Sequence, residues 1–131
     1  MSARILIVDD NPVNLKLAAN VLAFDGYTVL QAADAEEAMA IIADNKPDLI
    51  LMDIAMPGMD GLTLTRKIKS DPATAKIIVV ALTASAMKGD EDKAKAAGCD
   101  GYITKPVDTR TLSSKVAEAL APLLEKNERN A

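Results

Sequence analysis

The chain has 131 residues, a common size for one domain, and half of them are hydrophobic. Its net charge is −4, Lys and Arg are scattered, and only Phe24, Tyr27 and Tyr102 are aromatic. These features argue against a basic nucleic-acid surface and against a platform for stacking bases.

A chain this long buries roughly 70% of its unfolded surface and needs no disulfide or metal to fold. Cys99 is the only cysteine and reads as a buried thiol in a cytoplasmic protein. No basic segment precedes an apolar stretch at the N-terminus, and no apolar run approaches ~18 residues, so neither a signal peptide nor a membrane span is expected. There is no histidine, so imidazole cannot act here as base, ligand or phosphate carrier.

Ile5–Val8 is apolar at every position, as are Leu49–Met52 and Ile77–Leu82. Such runs read as strands buried on both faces, which means a parallel sheet. Thr28–Leu30 and Tyr102–Thr104 are weaker strand candidates. Helical patterns alternate with them. The first runs from Pro12 to Phe24, with Leu15, Ala18 and Leu22 on one face. Asp34, followed three residues later by Glu37, reads as a capping box opening a helix through Ile41 and Ile42. Leu64 and Ile68 mark a third helix over Gly61–Ser70. The fourth, over Ala86–Ala97, offers only Met87 and alanines, contains Gly89 and carries many charges; it is expected to be the least firmly docked element. Asp108 opens the last helix, marked by Leu112, Val116 and Leu120. Pro122 falls inside its pattern as a kink or stop, and Glu125–Ala131 is polar and expected to fray. The alternation predicts a doubly wound α/β fold, (βα)5, in one domain over residues 1–126 with a polar tail over 127–131.

Ligands in such folds bind beyond the carboxyl ends of the strands. Asp9 and Asp10 follow the first strand, Asp53 the third, Thr83 the fourth, and Lys105 with Pro106 the fifth. The second strand is followed by no comparable polar group, as befits an edge, and the strand order 2-1-3-4-5 follows. That order is one of the two common ones in doubly wound folds. Three carboxylates at one rim repel each other and persist only with a cation or raised pKa values. An oxygen-only donor set points to a hard ion such as Mg²⁺, with Lys105 and Thr83 completing a site for a tetrahedral anion. A carboxylate placed there can act as a nucleophile. Taken alone, an Asp pair after a strand is often only a helix cap; the conjunction at four strand ends is what points to chemistry.

Val8-Asp9-Asp10, Met52-Asp53 with Met56-Pro57-Gly58-Met59-Asp60-Gly61, Leu82-Thr83-Ala84 and Thr104-Lys105-Pro106 resemble the receiver domains of bacterial response regulators (CheY-like), over about residues 3–125. The stretch Ala86–Glu91, with Gly98-Cys99, further resembles single-domain receivers of bacterial cell-cycle phosphorelays.

The resemblance implies a flavodoxin-like three-layer sandwich. It makes Asp53 the phospho-acceptor. It has Asp10, Asp53 and the backbone carbonyl of Ala55 binding Mg²⁺ (with Mn²⁺ as a substitute) and Asp9 holding the ion mainly through water. It pairs Lys105 with a phosphoryl oxygen across a cis peptide to Pro106, and makes Thr83 and Tyr102 the switch residues, Tyr102 turning inward. The donor is a histidine kinase or histidine phosphotransfer protein, with acetyl phosphate as a small-molecule alternative. An output protein is the further partner, and the chain is a monomer or weak dimer. It is not an enzyme beyond its own phosphoryl acceptance and slow dephosphorylation. Ala55 and Ser85, at the two positions that influence the hydrolytic water in the family, imply a long-lived phosphoryl group.

Two other readings compete. One is an aspartate-nucleophile phosphatase of the haloacid dehalogenase kind, which places a second Asp two residues after the nucleophile, where this chain has Ala55. The other is a degenerate receiver, against which the intact Asp53, Thr83 and Lys105 argue.

Overall fold

A computed structural model describes residues 3–54, 61–83, 88–104 and 108–129, with backbone only at 88–91, 109 and 122–129. Five strands alternate with five helices. They are β1 (Arg4–Val8), α1 (Pro12–Phe24), β2 (Thr28–Ala32), α2 (Ala35–Asn45), β3 (Leu49–Asp53), α3 (Gly61–Ser70), β4 (Ile78–Thr83), α4 (Lys88–Ala97), β5 (Gly101–Thr104) and α5 (Thr109–Arg129). The strands form one parallel sheet in the order β2-β1-β3-β4-β5, so the expected topology is found. No described helix is long and apolar enough to cross a membrane.

The wholly apolar runs become strands because alternate residues enter two different cores. Ile5, Ile7, Leu49, Leu51, Val80, Leu82 and Ile103 pack with Ala18 and Leu22 of α1 and with Leu112, Val116 and Leu120 of α5. Leu6, Val8, Ile50, Met52 and Val79 face the opposite way, onto Ala38 and Ile42 of α2 and Leu64 and Ile68 of α3. Three layers result, with β2 and β5 at the edges.

The sequence-predicted caps are present, and one is modified. Asp34 accepts from the Glu37 amide at 2.8 Å, while the Glu37 carboxylate reaches back to the amide of Ala33 rather than to that of Asp34. Asp108 accepts from the Arg110 amide at 2.9 Å and opens α5.

Several boundaries differ from expectation, among them that of β2, which runs on through Gln31 to Ala32. β3 and β4 each extend one residue further, so that Asp53 and Thr83 are the last residues of their strands instead of the first residues beyond them. α5 continues through Pro122 to Arg129, past the expected stop and the expected fraying; the proline forgoes one i→i−4 hydrogen bond without ending the helix. α4 is seen from Lys88, and Ala84–Met87, including the predicted start of this helix, lie outside the described residues.

Replacing Asp34 by Ala removes an N-cap acceptor and is expected to lower unfolding free energy by about 1 kcal/mol. Urea denaturation checks this, and an unchanged midpoint would show that the cap contributes nothing.

Candidate phospho-acceptor site

Strand register builds the site. Val8 pairs with Met52 in the β1–β3 ladder. One residue further along, Asp9 therefore stands beside Asp53, about 4.8 Å away across two parallel strands. Asp9 lies two residues beyond Ile7 and Asp53 two beyond Leu51, so the pleat directs both toward the α1/α5 side. Their backbones are held in the sheet: the Asp9 amide donates to Ala32 at 3.1 Å, and the amide after Asp53, that of Ile54, donates to Leu82 at 3.2 Å. Carboxylate oxygens of Asp9, Asp10 and Asp53 all lie within 4.8 Å of one another. Asp9 is 1% exposed and Asp53 3% exposed, whereas Asp10 is open to solvent.

This donor set fits a hard divalent ion. It is all oxygen, it carries enough negative charge to balance two positive charges, and the exposed Asp10 leaves a side open to water. Without a cation, two unit charges about 4.8 Å apart repel by roughly 3 kcal/mol at an effective dielectric of about 20.

Thr83 ends β4 at the same edge of the sheet, paired with Thr104, and is 4% exposed. The pleat of Val79 and Ala81 assigns it to the α3 side of the sheet rather than to that of the two aspartates. Tyr102 is half-buried on the edge strand, where it lines grooves on both sides of β5. One groove includes Ala94 and Lys95 of α4, the other Lys115 and Ala119 of α5. Ala55, Lys105 and Pro106 lie outside the described residues, as does Ser85. The structure thus brings three of the predicted metal and acceptor side chains together, with Thr83 at the same edge. Cys99 is half-buried, and burial pushes its thiol pKa up; the hydrogen bond to Thr65 opposes this shift.

Two contributors were given no role at the site from the sequence. The Asn11 amide donates to Asp9 Oδ1 at 2.9 Å, while the Asn11 side chain caps α1 through the amides of Val13 and Asn14. Asparagine directly before Pro12 was the available signal. Gly61 is the second. α3 begins so close to the end of β3 that a Cβ here would stand 2.9 Å from both Asp53 C and Ile54 Cα, and would collide with the Asp53 carbonyl oxygen. Only glycine permits this approach. Nothing local in the sequence announces a contact between residues eight apart.

The profile of the response regulator receiver domain matches residues 5–117. The chain belongs to the response regulator receiver family. This receiver is 44% identical over 116 residues to response regulator PleD of Caulobacter vibrioides, covering 88% of this chain and 26% of PleD. It therefore spans about a quarter of that relative's length. It is 37% identical over 123 residues to the polar-differentiation response regulator DivK of Brucella anthropi, covering 91% of this chain and 100% of DivK. The narrower likeness to single-domain cell-cycle receivers accords with this match. Among solved structures, the chemotaxis response regulator CheY4 of Vibrio cholerae superposes with a TM-score of 0.88 at 28% identity, covering 92% of this chain and 100% of CheY4. The BeF3-activated DrrB receiver domain gives 0.83 at 25% identity, covering 92% and 99%. Receivers are signalling modules, and the haloacid dehalogenase reading falls with the family assignment.

Gly61→Ala is expected to destabilise this receiver by about 1–3 kcal/mol, since backbone must shift to admit the methyl group. Chemical denaturation measures it; a loss no larger than that of an exposed helix substitution would contradict the close approach.

Proposed function

We propose that this receiver accepts a phosphoryl group on Asp53 from a phosphohistidine of a histidine kinase or histidine phosphotransfer protein, and that the new charge changes which protein it binds. The observation that carries this reading is the convergence of Asp9, Asp10 and Asp53 within 4.8 Å at the carboxyl edge of the sheet. In a chain of this family, that is where an acceptor carboxylate and its charge-balancing partners belong.

In the proposed step a carboxylate oxygen of Asp53 attacks phosphorus. A P–O bond forms as the donor's P–N bond breaks, and the leaving imidazole retains or gains its proton on the donor side. Mg²⁺, or Mn²⁺ in its place, supplies neutralisation of the anionic phosphoryl oxygens when bound. Asp10 and Asp53 would hold it directly with the Ala55 carbonyl, and Asp9 mainly through water. Asp9 is oriented for that task by the Asn11 amide. Lys105, next after the β5 residue Thr104, would pair with a phosphoryl oxygen, and Thr83 would move from the α3 side of the sheet edge to donate its hydroxyl to another.

The aspartyl phosphate adds roughly −1.5 to −2 charge relative to a neutral side chain. Thr83 precedes α4 in the chain, and the described buried side chains of α4 are only Ala94 and Ala97. A helix with so little buried area costs least to displace. The α4-β5-α5 face, with Tyr102 on its central strand, is therefore the proposed output surface for a protein partner. Ala55 and Ser85 offer no amide or carboxylate to position a hydrolytic water, so the phosphoryl group is proposed to be long-lived.

Incubation with acetyl phosphate and Mg²⁺ followed by intact-mass spectrometry is expected to add one phosphoryl group to the wild type and none to Asp53→Asn. Removal of divalent cations should abolish the addition. Labelling of Asp53→Asn to the same extent would place the acceptor elsewhere, and loss of the phosphoryl group within seconds would contradict the long lifetime.

A further inference from the structure

At its C-terminal pole, α4 is tied down by an interlocked set of bonds. Gly98, at a φ of +103°, ends the helix in a Schellman turn: its amide donates to the Lys95 carbonyl, and that of Cys99 to the Ala94 carbonyl, each at 3.0 Å. The Lys69 stem of α3 lies directly beneath Gly98, where a Cβ would stand 2.9 Å from Lys69 Cγ.

The Lys69 ammonium carries three protons and meets three acceptors: Asp100 Oδ2 at 2.8 Å, the Ile77 carbonyl at 2.6 Å and the Ala75 carbonyl at 3.3 Å. Asp100 in turn grips the start of β4. Its Oδ2 accepts from the Val79 amide at 2.9 Å, and its own amide donates to the Val79 carbonyl at 2.7 Å. Cys99 donates to the buried Thr65 hydroxyl at 3.9 Å, and Thr65 donates to the Gly61 carbonyl at 2.7 Å. Gly61 is the residue pressed against the Asp53 backbone.

An exposed Lys–Asp pair alone would contribute little. Here the ammonium also satisfies two loop carbonyls, so removing it leaves acceptors without a donor at the junction of α3, β4, α4 and β5. Beyond this clamp, the described side chains that bury α4 are Ala94 and Ala97. A groove of about 110 Å³, lined by Ala94, Lys95, Cys99, Asp100, Gly101 and Tyr102, lies between α4 and β5.

We infer that α4 responds to the acceptor site as a lever pivoting on the Gly98–Asp100 clamp, with Lys69 as the positioning residue that fixes the pivot. Displacement is then largest at Lys88 and falls toward Ala97, and the groove beside Tyr102 takes up the tilt. The alternative motion, a sliding of the whole helix, would have to break the Lys69 and Asp100 bonds. This inference rests on the proposed phosphorylation of Asp53, and the two can fail separately.

Hydrogen exchange resolved along α4 tests it on the full chain with and without beryllofluoride and Mg²⁺, with fluorine NMR reporting occupancy at Asp53. In the wild type, exchange at Lys88–Asp92 should change by about tenfold or more, while Val79 and Gly98–Asp100 change less than about twofold. Lys69→Met keeps the stem and drops the ammonium, and should extend the response to Gly98–Asp100. Asp100→Asn retains an oxygen for the Val79 amide and should do the same more weakly; it serves if Lys69→Met does not fold. A uniform response along α4 in the wild type, or variants that reproduce the wild-type gradient, would overturn the pivot. So would bound beryllofluoride with no response in α4, which leaves the acceptor chemistry standing; absence of the bound fluoride signal would overturn both.

Discussion

Asp9 and Asp53 are two buried carboxylates that the β1–β3 register holds side by side, and the rest of the molecule can be understood as the means of keeping them there. Nothing about their mutual charge favours the arrangement. It is imposed by Ile5, Ile7, Leu49 and Leu51, whose burial sets the register, and by the ladder bonds that continue one residue beyond each strand into the acidic rim. A slip of one residue would turn every one of these side chains to the opposite face. The apolar core therefore determines where the acidic site lies, and charge repulsion is accepted at the rim to gather a donor set that fits a divalent cation.

The support beneath that site is unequal. The Asp53 backbone is backed by α3, which begins against it through the missing side chain of Gly61 and is joined by way of Thr65 and Lys69 to the end of α4. α3 itself buries Leu64, Thr65 and Ile68 and is firmly seated. α4, in contrast, has alanines for anchors among its described side chains, and its described ties to neighbouring elements cluster at its C-terminal end. The proposed phosphorylation of Asp53 would draw on this contrast between a rigid strut and a lightly held helix.

Much of this was legible in the amino-acid sequence, and the reasons are physical. Strands buried on both faces leave unbroken apolar runs, and Asp34 and Asp108 announce helices through chemistry that acts over three residues. Polar groups at the strand ends disclosed both the edge position of β2 and the acidic cluster. The contacts that escaped are those made by residues remote in sequence. The pairing of Lys69 with Asp100 spans 31 positions, and the approach of Gly61 to Asp53 depends on where a helix happens to begin. The continuation of α5 through Pro122 escaped for a different reason: the local proline penalty is offset over a long helix seated by Leu112, Val116 and Leu120. The expectations for Ala55, Lys105 and Pro106 rest on family resemblance.

The sheet register gathers Asp9, Asp10 and Asp53 into a donor set that fits a divalent cation. Crystals grown with Mn²⁺ and examined by anomalous diffraction test it most directly. One strong anomalous peak is expected among these three carboxylates, with Asp10 and Asp53 oxygens at direct coordination distance. Ordered crystals showing no peak there, or Mn²⁺ bound only at other acidic residues, would contradict it.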